Sequence, residues 1–385
     1  MIDAPPAAPL LATSRLDRAA AWLRGHAWII VWWASGRLVV VATVLLVETL
    51  SRHGELRTTR HAHQFVGLLG VWDGRWYRMI AANGYLLIPG HQSDPAFFPL
   101  FPVLLRGVHA AGIGYFLAGL LLSNAAFVVA LTAFHALTRD VLGTPLARRA
   151  TIYLAIFPLG YVFSMTYPES IVLAAISLAA LAAAQRRWST AMICAAVAAL
   201  TRPEGLVVLL PILISAYRRN SSTSQLNRGV ALAAVIAPIA ALASFPAYLG
   251  VVLHDPLAWN SAEHAWGRRF SPLGFVHALT GLPGLIAQNP WLIRDVVCFV
   301  LYLGLLEAAR RAGTPRPWLV GGLLVIVLPV FSGAFTAVGR FGLLVPPIFW
   351  GLAWLGRRAK ADRAIRVASL ALLIGATFTI PYVFP

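Results

Sequence analysis

Apolar residues come in membrane-length runs separated by short polar breaks along nearly the whole chain. A helix rises about 1.5 Å per residue, so about 20 apolar residues cross a hydrocarbon layer of about 30 Å. Spanning helices are therefore expected at about 28–50, 113–138, 150–166, 168–185, 229–253, 291–309, 317–338, 340–356 and 365–383. A short broken pair is expected at 189–201 and 204–217. The pattern predicts an all-α polytopic membrane protein with about nine full spans, or up to about eleven if the short pair crosses twice. Two longer polar stretches, 51–112 and 254–290, interrupt the series.

Composition supports this class. Hydrophobic residues make up 59% of 385 positions and charged residues 12%, and the mean hydropathy is +0.74. One membrane-embedded domain over 1–385 is expected, with 1–27 a cytoplasmic tail, because Asp3, Arg15, Asp17, Arg18 and Arg24 break up any secretory signal there. The net charge of +17 would suggest nucleic acid in a soluble protein, but the arginines gather in short loops between apolar runs, where they set topology instead. Arg139/Arg148/Arg149, Arg186/Arg187, Arg218/Arg219/Arg228, Arg310/Arg311/Arg316 and Arg357/Arg358/Lys360/Arg363 fall on one side with the N-terminus if that end is cytoplasmic. The stretches 51–112 and 254–290 then face outward. Thirty of the 31 basic residues are arginine, which points to a high-GC genome and a bacterial inner membrane. Cys194 and Cys298 lie inside apolar runs without metal-site or disulfide spacing.

The first outer stretch carries the chemistry. It contains Val71-Trp72-Asp73-Gly74-Arg75-Trp76-Tyr77, a carboxylate set among aromatic rings. A helix over 73–83 would put Asp73, Trp76, Tyr77 and Ile80 on one face and Arg75 and Arg78 on another, lying in the interface. Asp73 serves equally well there as the helix N-cap, with Gly84 closing the helix. Asp94, between Ser93 and Pro95, suits a turn better than a site. His53, His61 and His63 have no paired carboxylate at ligand spacing, so no metal and no cofactor are expected. No Walker motif, Rossmann fingerprint or Asp-x-Asp motif for a nucleotide sugar is present.

Further along, Asn83-Gly84-Tyr85, Ala96-Phe97-Phe98-Pro99-Leu100-Phe101-Pro102, Tyr167-Pro168-Glu169-Ser170 and Thr201-Arg202-Pro203-Glu204-Gly205 follow in order. Together with the Trp72-Asp73 segment, this series resembles the PIG-V family of mannosyltransferases, over most of the chain from Trp72 to about Phe349. The resemblance implies the GT-C glycosyltransferase fold, an outward-facing active site and a polyprenyl-phosphate sugar donor. It also implies that Asp73 is the catalytic base. Inverting transfer needs one carboxylate to take the acceptor proton, which agrees with that role. The acceptor would be a glycolipid or glycan of the envelope.

The departing polyprenyl phosphate requires cations. Arg202 stands at the break of the short pair, where it would otherwise pair with Glu204 or snorkel. Arg340, in Val338-Gly339-Arg340-Phe341, resembles the family's Arg-aromatic pair, and is alternatively an interface anchor. Arg268 lies in Trp266-Gly267-Arg268-Arg269-Phe270 of the second outer stretch. Trp72, Trp76, Tyr77, Asp94, Glu169, His264 and Trp266 are the candidate substrate contacts, and His254-Asp255 a weaker one. Arg37, inside the first run, is read as a snorkelling residue outside the site. A transporter or lipid flippase also uses broken helices and intramembrane arginine, but the two halves show no clear internal repeat. A non-catalytic subunit on the same scaffold would be expected to lack the base.

Overall fold

A computed structural model describes residues 15–52, 66–219 and 225–384. The tail 1–14 and the histidine trio His53, His61 and His63 lie outside the described residues, as do the side chains of Arg15, Arg18 and Arg24. Among the described residues the chain is helical without strands. In order the helices are α1 (Arg15–Arg52), α2 (Asp73–Asn83), α3 (Leu100–His109), α4 (Tyr115–Leu142), α5 (Thr144–Ala155), α6 (Glu169–Ala184), α7 (Trp188–Thr201), α8 (Pro203–Arg219) and α9 (Gln225–Val252). They continue with α10 (Ala258–Ala265), α11 (Gly274–Thr280), α12 (Leu282–Gln288), α13 (Leu292–Arg311), α14 (Arg316–Val327), α15 (Val338–Phe341), α16 (Pro346–Leu355) and α17 (Ala359–Phe378).

Gly25–Ser51, Tyr115–Leu142 and Arg228–Val252 are long and apolar enough to cross a membrane, and two bent pairs qualify when each is taken together. These pairs are Pro158–Ser164 with Glu169–Ala184, bent by 98°, and Val338–Leu344 with Pro346–Leu355, bent by 86°. Expected helices at 150–166, 317–338 and 340–356 are thus interrupted, and proline is the cause. The residue before a proline is pushed out of the α region and the proline has no N–H to give. Accordingly Phe157 is extended before Pro158, and Val345 before Pro346. The α14 helix ends at Val327, just ahead of Pro329. Unwound backbone at such depth is tolerated where protein surrounds it, and the 158–167 segment is buried between α4, α6 and α17.

The core is built from α4, α6, α7 and α9 packed in succession, with α5, α13, α16, α14 and α8 forming the opposite side. Alanine is abundant on α6 and α7, and small residues let helix backbones approach closely where lipid gives no hydrophobic drive. Arg37 does not snorkel. Its guanidinium turns inward, donating to the Gly160 carbonyl at 3.0 Å and lying 4.7 Å from the Phe127 ring.

Residues 66–112 fold into a cap. Tyr77, Ile80, Phe97, Phe101 and Leu105 form a small apolar core of their own between α2, α3 and the start of α4. Trp266, from the 254–290 stretch, joins it, 5.5 Å from Trp76 and 5.7 Å from Phe97, and donates from Nε1 to the Ser93 carbonyl at 3.4 Å. The two long polar stretches therefore meet over one end of the helical core.

Candidate active site

The expected helix 73–83 forms over exactly those residues, and Gly84 ends it at φ 82°. Asp73 is not its cap, however. Trp72 occupies the N-cap with φ 55°, no side chain caps the helix, and the Asp73 carboxylate turns inward. A positive φ on a bulky residue costs about 1–3 kcal/mol and persists only where surroundings fix it. Here the Trp72 Nε1 donates to the Ile380 carbonyl at 2.8 Å. The next residue, Gly74, admits no side chain, because a Cβ would fall 2.1 Å from the Thr166 hydroxyl oxygen. The Asp73 amide donates to the Tyr167 hydroxyl at 3.1 Å, and Tyr167 is pinned in turn by Ser123 of α4. These contacts fix where the carboxylate points.

Five charged side chains from four separate segments alternate in one buried chain. Arg340 on α15 pairs with Oδ2 of Asp73 and, through Nε at 3.5 Å, with Oε1 of Glu169 at the start of α6. Arg202, at the α7–α8 break, donates to the same Glu169 oxygen and grips Glu204 with two bonds of 3.2 Å each. Three carboxylates against two guanidiniums leave one formal negative charge. Both ends of the chain, Asp73 and Glu204, reach the wall of a cavity of about 1140 Å³, whereas Arg340, Glu169 and Arg202 lie behind it. Arg340 is 2% exposed, so it is no interface anchor. Asp73 Oδ1 accepts no protein hydrogen bond among the described residues and is left to the cavity.

Trp72, Trp76, Trp259 and Trp266 supply aromatic walls to this cavity, and Arg268 lines it while paired with Glu263 at 3.2 Å. Burial pushes the Glu263 carboxyl upward against the opposing pull of Arg268. Trp72, Asp73, Trp76, Trp266 and Arg268 thus come together as the sequence suggests. Three other candidates do not reach the cavity. Tyr77 is buried under the cap, where burial raises its hydroxyl far above the usual range. Asp94 is buried with Oδ2 accepting the Leu86 amide at 3.2 Å, a loop-holding role, and burial raises its carboxyl too. His264 is exposed on α10.

Sequence reasoning missed the supports of Arg340. The Asp295 carboxylate on α13 accepts the Gly339 amide at 2.9 Å, and the Tyr302 hydroxyl donates to the Gly339 carbonyl at 2.7 Å. It also missed the segment after α17. Pro381 and Phe384 line the cavity, the Phe384 ring lies 5.1 Å from the Arg340 guanidinium, and Arg294 donates to the Phe384 carbonyl at 2.7 Å. The Arg294-Asp295 pair at the start of α13 and Phe384 just beyond the last apolar run were the available signals. Among the described residues no cluster of three or more His, Cys, Asp or Glu side chains is placed to hold a metal.

No family model and no curated protein matches the chain. Among solved structures it is similar to ArnT from Cupriavidus metallidurans bound to undecaprenyl phosphate, with 19% identity and a TM-score of 0.52 over 90% of this chain. The match spans 63% of that protein's length. At that identity the likeness extends to the fold alone; among the described residues three helices are long and apolar enough to cross a membrane, or up to five if each bent pair is one span.

Proposed function

We propose that the protein is an inverting mannosyltransferase of the PIG-V-like type, moving mannose from polyprenyl-phosphate-mannose to a glycolipid or glycan on the extracytoplasmic side of a bacterial inner membrane. The observation that carries this reading is Asp73. Its Oδ2 is held by a buried arginine, its Oδ1 faces a large cavity walled by tryptophans, and its backbone is fixed by Tyr167 and a strained Trp72. Aromatic faces suit sugar rings and prenyl chains, and the bound lipid phosphate of the structural neighbour supports a lipid-linked donor.

In this mechanism Asp73 Oδ1 takes the proton of the acceptor hydroxyl as that oxygen forms its bond to the anomeric carbon. The bond from that carbon to the phosphate oxygen breaks, and polyprenyl phosphate departs with the electron pair. Arg340 keeps Asp73 in register without entering the cavity. Arg268, on the cavity wall, can contact a bound anion, while Arg202 and Arg340 contribute through the buried chain. Trp72, Trp76 and Trp266 are the substrate-facing rings.

The test is transfer of radiolabelled mannose from synthetic polyprenyl-phosphate-mannose to a lipid extract of the host by the purified protein in detergent. Labelled product is expected. No transfer from this donor but transfer from another polyprenyl-phosphate sugar would refute the mannose assignment, and no transfer from any would refute glycosyl transfer.

A further inference from the structure

Every arginine nominated from the sequence for the departing phosphate already has carboxylate partners. Arg340 is held by Asp73 and Glu169, Arg202 by Glu169 and Glu204, and Arg268 by Glu263. Two other arginines line the same cavity without an acidic partner. Arg75 is exposed and makes no ion pair or side-chain hydrogen bond among the described residues. Arg78 donates from Nε to the Gly74 carbonyl at 3.1 Å and from Nη2 to the Gly70 carbonyl at 2.9 Å, which fixes its guanidinium 5.4 Å from the Phe116 ring. Its Nη1 makes no hydrogen bond among the described residues.

These two side chains also line a second space, a lateral groove of about 550 Å³ walled by Met79, Phe116 and Leu117 and open to the outside. Leu117 is 51% exposed and Met79 37%, so the groove presents apolar surface outward beside the start of α4, one of the membrane-length helices. A like-charged pair held at the junction of a reaction cavity and an apolar groove is complementary to one kind of ligand, an anion with a long apolar tail. Asp73, Arg75 and Arg78 all line the same cavity, so one bound substrate can reach the carboxylate and both guanidiniums.

We propose that Arg75 and Arg78 bind the phosphate of a polyprenyl-phosphate lipid, with the prenyl chain lying in the groove along Met79, Phe116 and Leu117. This assignment rests on the glycosyl-transfer reading for its role but not for its test. Arg78 presents Nη1, Arg75 presents its whole guanidinium, Arg340 and Arg202 stay with the carboxylates of the buried chain, and Arg268 stays with Glu263.

The experiment is equilibrium binding of polyprenyl phosphate to the full-length protein in lipid nanodiscs, for wild type, Arg75→Gln and Arg78→Gln, with unphosphorylated polyprenol and inorganic phosphate as comparison probes. Arg75 is exposed and has no ion pair or side-chain hydrogen bond to lose among the described residues, so Arg75→Gln should leave the fold intact. The expected result is binding of polyprenyl phosphate by wild type, weakened about tenfold or more by Arg75→Gln. Polyprenol should bind both proteins alike, and inorganic phosphate should compete poorly. Equal affinity of wild type and Arg75→Gln for the phosphorylated lipid, or no binding by wild type, overturns the proposal. Equal loss of polyprenol would make the effect steric, and full competition by inorganic phosphate would make this a site for free anions; either result overturns it too. If binding behaves as expected but no sugar is transferred from any donor, the glycosyl-transfer reading fails and the lipid-phosphate site stands.

Discussion

Asp73 and Arg340 lie 267 residues apart in the chain and meet in a buried ion pair, of which only the carboxylate reaches the cavity. Removing one partner of such a pair leaves the other charge buried and uncompensated, which costs about 3–5 kcal/mol. Arg340→Met should therefore lower stability strongly, and Asp73→Asn combined with it should recover part of the loss. Thermal unfolding in detergent decides this; an Arg340→Met protein as stable as wild type would show that the pair carries no structural role.

Gly74→Ala should displace the start of α2, since the new methyl group meets the Thr166 hydroxyl at 2.1 Å. Transfer should fall about tenfold or more, because small displacements of a catalytic group are costly. Thr166→Ala removes the clashing atom and should partly rescue Gly74→Ala. Comparison of kcat for the single and double variants checks this, and absence of any rescue would place the defect elsewhere.

Tyr302→Phe removes the hydrogen bond that holds the Gly339 carbonyl and should cost about 1 kcal/mol of stability. A Gly339 side chain would press on Leu159 at 2.8 Å and Asp295 at 3.1 Å, so this turn has little room to shift. The expected outcome for Tyr302→Phe is a lower kcat with nearly unchanged KM, measured by steady-state transfer. A changed KM alone would point to substrate contact instead of positioning.

Asp94 gives a pH prediction. Its carboxyl is raised above the usual aspartate value by burial, so the folded protein holds that proton to higher pH than the unfolded chain. Its contribution to stability is therefore fully present below about pH 3.8 and is lost as pH rises through the folded value. Asp94→Asn keeps an acceptor for the Leu86 amide and removes the charge. The variant should gain stability relative to wild type as pH rises from about 4 to 7, with transfer retained. A Tm difference that stays flat across that range would contradict the shift.

Much of this was legible in the sequence. Helix 73–83 followed from the spacing of Asp73, Trp76, Tyr77 and Ile80, and the break at Arg202 from the proline after it. Arg340 and Glu169 stood out through the family resemblance, but nothing local could reveal that Arg340 pairs with both Asp73 and Glu169 across more than a hundred residues. Proline effects at Pro158, Pro329 and Pro346 were readable, yet the apolar composition on both sides made 150–166, 317–338 and 340–356 look continuous. The arginines nominated for phosphate were chosen by position along the chain. Which of them were already neutralised depended on contacts that only the folded chain displays, and so Arg75 and Arg78 stood only as a second face of an interfacial helix.

The central claim is that Asp73 is the base. The most direct measurement is single-turnover transfer of labelled mannose from polyprenyl-phosphate-mannose by Asp73→Asn beside wild type, at saturating donor and with both proteins shown to be folded. General-base catalysis contributes about 10²–10⁴-fold, so the account predicts a rate lowered by that order in the variant. A variant that transfers mannose at close to the wild-type rate would contradict it.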